Sequence, residues 1–104
     1  MISVCMYRDE ETELMDKFSV EGHAGYAEKG KDIVCASVSA LTIATVNALQ
    51  TRYTIDVVQC DGLISCTIRK PDNGSELITK AFVMGIKSIT DQYSEYVNQH
   101  LFFM

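Results

Sequence analysis

The apolar residues of this chain change their spacing along the sequence, and this change constrains the fold more than any other feature. Over residues 2–8 and again over residues 14–22, apolar and polar side chains alternate, a period of two that is typical of β-strands. The short polar link between these runs favours a hairpin. From residue 33 to residue 49 the apolar positions recur every three or four residues, which predicts a buried helix with Asp32 as its N-cap.

The second half of the chain repeats this order. Residues 53–60 and 63–70 are β-rich runs on either side of Asp61-Gly62, a dipeptide that strongly indicates a two-residue hairpin turn. Residues 76–100 then return to helical spacing. The order ββαββα predicts an α+β fold with a four-stranded, largely antiparallel sheet and both helices packed on one face. The 104 residues suit a single domain, 1–104.

Composition excludes several classes of protein. The apolar stretches are shorter than the roughly 20 residues that a membrane span needs, so we expect no membrane segment. Met1 leads directly into a strand without a basic, apolar signal segment, which favours a cytoplasmic location. The net charge of −5 argues against direct nucleic-acid binding. It suits a basic partner or substrate, although an acidic surface also serves solubility alone.

The four cysteines form no C-x-x-C pair, so the sequence predicts no metal site of the zinc-ribbon kind and no thioredoxin-like site. Cys5, Cys60 and Cys66 lie in predicted strands, where an unpaired cysteine is most simply a small packing residue. Cys35 differs because it falls in the first turn of the first helix. Unpaired N–H groups and the helix dipole stabilise a thiolate there, and the same N–H groups could hold an oxyanion. A small residue packing helix against sheet remains the alternative.

His23 strengthens the catalytic interpretation of Cys35. It opens a glycine-rich loop that leads from the second strand back to Cys35, and a base beside a thiol is the minimum unit of cysteine nucleophile catalysis. Gly22 and Gly25 allow the backbone to turn tightly around the imidazole and leave room for a substrate chain. Asp32 has two candidate roles, which are capping the helix and orienting the His23 imidazole.

The segments Gly22-His23-Ala24-Gly25 and Asp32-Ile33-Val34-Cys35-Ala36, at this spacing, resemble the signature of the ribosomal-processing cysteine proteases (Prp). The resemblance covers the whole chain and implies a homodimeric Cys/His peptidase that needs no metal or organic cofactor. It assigns His23 and Cys35 as the catalytic pair, with Asp32 at an acidic position of less settled role.

The family removes an N-terminal extension from a bacterial large-subunit ribosomal protein, the one numbered twenty-seven. It cleaves this substrate after paired aromatic residues. The glycine-rich segment matches a mobile loop that must move to admit the substrate. The loop residues Gly22, Gly25 and Tyr26 are therefore the candidates for substrate binding.

Two other classes of function fit parts of this pattern. A non-enzymatic ribosome-associated binding module would share the acidic surface and the fold, but it would not need a thiol at a helix start. A thiol redox sensor is disfavoured because no resolving cysteine is near Cys35 in sequence. Preferential alkylation of Cys35 over the other three thiols would favour the enzyme.

Overall fold

The structure is a computed structural model that describes residues 1–103, and it contains a mixed five-stranded sheet and two long helices. In chain order the elements are β1 (Ile2–Arg8), β2 (Met15–Gly22), α1 (Ile33–Gln50), β3 (Ile55–Cys60), β4 (Leu63–Ile68), α2 (Asn73–Gln92) and β5 (Val97–Phe103). The first six elements follow the predicted order ββαββα, and the α+β class is confirmed. The fifth strand was not predicted.

The strands lie in the order β3-β4-β2-β1-β5. The pairs β1–β2, β2–β4 and β3–β4 are antiparallel, whereas β1–β5 is parallel. The predicted four-stranded antiparallel sheet is therefore wrong at one edge. The predicted helix over residues 76–100 was too long, because α2 ends at Gln92 and the chain then turns back along β1.

The predicted helix was too long because the helical spacing of apolar residues continues past the last residue of α2. Ile89, Tyr93 and Val97 continue the helical spacing of α2 into the turn that follows it. The alternation of β5 is blurred because the polar Gln99 occupies a position on the helix-covered side of the sheet, beside the buried Val4 of β1. The conformation of β5 depends on its pairing with β1, and this long-range contact cannot be predicted from the local spacing of apolar residues.

Both helices cover one face of the sheet, as the sequence predicts. In β1 the side chains of Ile2, Val4 and Met6 are buried on this face, and in β2 the ring of Phe18 lies 4.8 Å from that of Phe82 in α2. The burial of these apolar side chains is the main stabilisation of such a layered fold. Within residues 1–103, neither helix covers the opposite face, which carries Cys5.

The first helix carries no charged side chain over its 18 residues. Its mean hydropathy of 1.6 and its length make it apolar enough to cross a membrane, which corrects the expectation that no stretch of the chain reaches that limit. Six of its residues are buried, and four of them belong to the same apolar core as the strands. Core helices of soluble proteins have this composition, so it is weak evidence for a membrane span.

The end of β2 is fixed against the β3–β4 turn, and this junction positions the loop that follows. The Gly22 N–H donates to the Gly62 carbonyl oxygen at 2.8 Å. Gly22 has φ +97°, and a Cβ there would collide with the Met1 carbonyl oxygen, so only glycine fits. His23 therefore leaves the sheet in a defined direction, toward the start of α1.

Candidate active site

Cys35 lies in the first turn of α1, where the sequence predicts it. Asp32 is the N-cap, and its Oδ1 accepts hydrogen bonds from the N–H groups of Val34 at 3.0 Å and Cys35 at 2.9 Å. The Ala36 N–H donates to the Asp32 carbonyl oxygen at 3.0 Å. The amide of Cys35 and those of its two neighbours are thus already occupied by Asp32.

Asp32 also holds the glycine-rich loop. Its Oδ2 accepts from the N–H groups of Tyr26 at 3.0 Å and Ala27 at 3.3 Å. The N–H of Cys35 has the largest effect in holding the pKa of the Asp32 carboxyl below its usual value. Burial, the next largest effect, opposes it, and the N–H groups of Ala27, Tyr26 and Val34 each lower the pKa further. The capping role is therefore observed. Within residues 1–103, no hydrogen bond joins Asp32 to His23.

His23 follows β2 directly and its side chain is exposed. Its Nε2 atom lies over the β3–β4 turn, 3.4 Å from the position that a Cβ on Gly62 would take. In the described part of the chain no hydrogen bond links the imidazole to the Cys35 thiol. The pair is therefore brought to one site without a hydrogen bond between the two side chains, an arrangement common in enzymes before substrate binds.

A backbone group contacts the thiol instead. The N–H of Ala24, the residue after His23, donates to the Cys35 Sγ atom at 3.4 Å. Ala24 itself is only 5% exposed and belongs to the apolar core. The peptide unit between His23 and Ala24 is therefore packed directly beside the sulfur.

His23 and Cys35 line one cleft of about 810 Å³ between the start of α1, the glycine-rich loop and the β3–β4 turn. Gly22, Gly25 and Asp32 also line it, as do residues that sequence reasoning missed. These include Ser39 one turn along α1, and Val20 and Ile64, which are directly paired across β2 and β4. Alternation could have placed Val20 and Ile64 on the same face, but not beside Cys35. They give the cleft an apolar wall.

Tyr26 does not line this cleft. Its ring packs edge-on against the rings of Tyr93 and Tyr96, with centroid distances of 5.5 Å and 5.1 Å. In this structure Tyr26 thus attaches the glycine-rich loop to the segment between α2 and β5. Its predicted role in substrate binding stays a prediction.

The other three thiols lie in different environments. Cys66 is fully buried in β4, and burial raises the pKa of its thiol to about 11. Cys5 lies on the sheet face opposite the helices, whereas Cys60 is exposed at the end of β3 and lines the same cleft as Cys35 without a helix start beside it. Only Cys35 combines a helix start, a cleft and a nearby imidazole.

The site can perform thiol chemistry on an extended chain. A thiol, an imidazole and a backbone N–H surround an open cleft with an apolar wall, and these are the groups that covalent acyl transfer requires. Within the described residues, no group of three or more His, Cys, Asp and Glu side chains is placed to hold a metal ion. The fold and this site define a cysteine-dependent hydrolase.

Comparison with known proteins identifies the family. The sequence model of the cysteine protease Prp family matches residues 1–98. The ribosomal processing cysteine protease Prp of Staphylococcus aureus is 31% identical over 100 residues, covering 91% of this chain and 93% of that protein. The Mycoplasma pneumoniae protein of the same name is 29% identical over 85 residues, which is 79% of this chain and 83% of its relative. The chain belongs to the Prp family of cysteine proteases.

Solved structures agree with this fold. The S. aureus protease in complex with a covalently linked product peptide superposes with a TM-score of 0.91 at 24% identity, covering 97% of this chain and 99% of the other. A Streptococcus mutans protein superposes with a TM-score of 0.80 at 27% identity, covering 100% of this chain and 96% of the other. The five-stranded sheet with two helices is thus an arrangement that solved relatives share.

Proposed function

We propose that this protease removes the N-terminal extension of the bacterial large-subunit ribosomal protein numbered twenty-seven, with Cys35 as nucleophile and His23 as general acid and base. The observation that carries the proposal is that both residues line one cleft, with Cys35 at a helix start. A related S. aureus protease has been captured with a substrate peptide. The net charge of −5 favours encounter with a basic ribosomal protein.

The reaction begins when the Cys35 sulfur, as thiolate, attacks the carbonyl carbon of the scissile bond and the carbonyl electron pair moves to oxygen. The imidazolium of His23 gives its proton to the leaving nitrogen, the C–N bond breaks and a thioester remains. His23 then takes a proton from water, which hydrolyses the thioester and releases the thiol. Because the imidazole lies beside Gly62 and makes no hydrogen bond to the thiol within residues 1–103, we expect movement of the glycine-rich loop to bring His23 to these atoms.

The apolar wall supports recognition of an aromatic side chain next to the scissile bond. Val20 and Ile64 stand side by side on β2 and β4 beside Cys35, and both are partly exposed in the cleft. Contact with them would bury one face of an aromatic ring. Ile64→Ala is expected to raise the KM for a peptide with aromatic residues before the cleaved bond more than it lowers kcat.

The decisive experiment is incubation with a peptide carrying the extension, followed by mass spectrometry. Cys35→Ala and Cys35→Ser should abolish cleavage, and His23→Ala should reduce it by about 10²–10⁴-fold. Cys5→Ala, on the sheet face away from the cleft, is the matched control and should cleave normally. Full cleavage by Cys35→Ala would overturn the assignment.

The role of Asp32 can be tested with two variants. Asp32→Asn keeps an amide oxygen that can accept the helix-cap hydrogen bonds. It replaces the oxygen that accepts from Tyr26 and Ala27 with an NH2 group, which can only donate. We expect it to retain more activity than Asp32→Ala, because the start of α1 is preserved. If folded Asp32→Asn loses as much activity as His23→Ala, Asp32 acts on His23 as a third catalytic member.

We also propose a cytoplasmic homodimer. The observation that favours association is the edge strand β5, where Leu101, Phe102 and Phe103 are 44–57% exposed, because apolar edge strands invite pairing with another chain. Sedimentation at tens of micromolar should show twice the mass of 11.6 kDa. A monomer under these conditions would refute the proposal.

A further inference from the structure

We infer that the backbone N–H of Ala24 is the donor that stabilises negative charge at the reaction centre, first on the Cys35 sulfur and then on the oxyanion of the tetrahedral intermediate. The inference rests on the proposed role of Cys35 as nucleophile. It assigns a catalytic function to a backbone group whose side chain, a methyl buried in the core, takes no part.

Asp32 already engages the helix-start amides beside the sulfur. Helix-start amides are the expected oxyanion donors, and the amide of the nucleophile itself is the nearest of them. Here the N–H groups of Val34 and Cys35 donate to the Asp32 carboxylate, and that of Ala36 donates to the Asp32 carbonyl oxygen. An oxyanion could use the N–H groups of Val34 and Cys35 only by displacing the carboxylate, and that of Ala36 only by breaking the first hydrogen bond of the helix.

That carboxylate is also charged. The pKa of Asp32 is lowered, chiefly by the Cys35 N–H, so the group is ionised at neutral pH. A negative charge at the N-cap offsets the positive end of the helix dipole that would otherwise stabilise a thiolate. The sulfur therefore needs another donor, which Asp32 does not engage.

The Ala24 N–H meets this requirement. It donates to Sγ at 3.4 Å, and no other backbone N–H in the described chain donates to this sulfur. When Sγ bonds to the carbonyl carbon, the sulfur loses its charge and the electron pair of the C=O bond moves to the oxygen. That oxygen is two bonds from Sγ, so a small shift carries the N–H to the distance of about 2.7–3.1 Å at which oxyanion donors act.

The geometry also links the two halves of the mechanism. His23 and Ala24 share one peptide unit, so the segment that carries the imidazole also carries the donor. The same loop movement that brings His23 toward the leaving nitrogen can therefore bring the N–H from the sulfur to the oxyanion. Proton transfer and charge stabilisation become coupled through a single stretch of backbone.

The test is to delete this N–H while keeping the side chain. Native cysteines at positions 35 and 66 allow the full chain to be assembled from segments 1–34, 35–65 and 66–104 by chemical ligation. Lactic acid in place of Ala24 replaces the amide by an ester and retains the methyl group. 2-Hydroxyglutaric acid in place of Glu28 is the matched control, since Glu28 lies in the same loop but not in the cleft and its N–H makes no hydrogen bond within residues 1–103.

Two rates are measured on each folded synthetic protein, namely peptide cleavage and alkylation of Cys35 by iodoacetamide. With the ester at position 24, cleavage should fall by about 10²–10³-fold, the loss typical of one oxyanion donor. Alkylation, which forms no oxyanion, should slow by a smaller factor. The ester at position 28 should change neither rate substantially.

Each other outcome counts against the inference. Cleavage within twofold of the all-amide protein would overturn it, and equal losses in cleavage and alkylation would overturn the oxyanion role. An equal effect of the two esters would mean that general loosening of the loop explains the loss. If the all-amide protein cleaves no peptide, the proposed function fails, whereas alkylation still tests the Ala24 contact with the sulfur.

Discussion

The tyrosine contacts of the glycine-rich loop lead to a quantitative prediction about loop opening. Tyr26 packs edge-to-face on Tyr93 and Tyr96, and each such pair contributes about 0.5–1.5 kcal/mol beyond area burial. Two pairs therefore stabilise the closed loop by about 1–3 kcal/mol, which corresponds to about 5–150-fold in the opening equilibrium. Because Tyr26 is 41% exposed, we expect Tyr26→Ala to fall in the lower half of this range.

Hydrogen exchange measured by mass spectrometry gives this equilibrium directly. The N–H groups of Tyr26 and Ala27 donate to Asp32, so their exchange with solvent reports opening of the loop. Tyr26→Ala should accelerate exchange within residues 23–31 and leave α2 unchanged. Tyr26→Phe, which keeps the ring, is the control and should behave like the wild type.

A double-mutant cycle sharpens the test. Tyr93→Ala should accelerate the same exchange, and combining it with Tyr26→Ala should add less than the sum of the two effects, because both remove one contact. Unchanged exchange in residues 23–31 of Tyr26→Ala would refute the reasoning. Additive effects would place the stabilising contact elsewhere.

Three further predictions concern the placement of His23, a buried thiol and an ion pair. Gly62→Ala strains a residue at φ +74° and places a Cβ 3.4 Å from His23 Nε2. Peptide cleavage should therefore fall about tenfold to a hundredfold while the circular-dichroism spectrum stays unchanged. Cleavage at the wild-type rate would contradict the placement of His23. Burial raises the pKa of the Cys66 thiol from 9.0 to about 11. The buried, protonated thiol therefore contributes fully to the free energy of unfolding below pH 9, and this contribution is lost as the pH rises toward 11. The urea midpoint should thus fall more steeply over that range than in Cys66→Ala, and parallel curves would refute the effect. Glu76→Ala removes the 2.5 Å ion pair with the half-buried Arg8 and should cost about 1.5–3 kcal/mol, measured by thermal unfolding, and an unchanged midpoint would show that the pair is solvated.

The sequence predicted the start of α1 well because the signal is local. Asp32 caps the helix through its own side chain, so its position relative to Cys35 fixes the cysteine in the first turn without reference to the rest of the fold. The strand β5 could not be predicted in this way. Its conformation depends on pairing with β1, which is distant in sequence, and the polar Gln99 hides its alternation.

The site itself was predictable only in its residue types. The spacing of His23 and Cys35 indicated a catalytic pair, but the direction of the Ala24 N–H depends on how the loop leaves β2 after Gly22, which has a positive φ. Likewise, both oxygens of Asp32 proved to be engaged by backbone N–H groups, two of them from the loop. Such contacts are set by tertiary packing rather than by local pattern.

The parallel pairing of β1 with β5 has a consequence for the order of assembly during synthesis. Ile2 pairs with Val97, which is 95 positions later (97 − 2), so all six elements from β1 to α2 leave the ribosome before the strand that completes the sheet. Until then one edge of β1 has unpaired N–H and C=O groups. The same strand carries three apolar side chains that are buried in the folded protein, namely Ile2, Val4 and Met6. The nascent protease therefore passes through a stage in which its oldest strand can pair with a foreign chain, and completion of the sheet after residues 97–103 emerge ends that exposure.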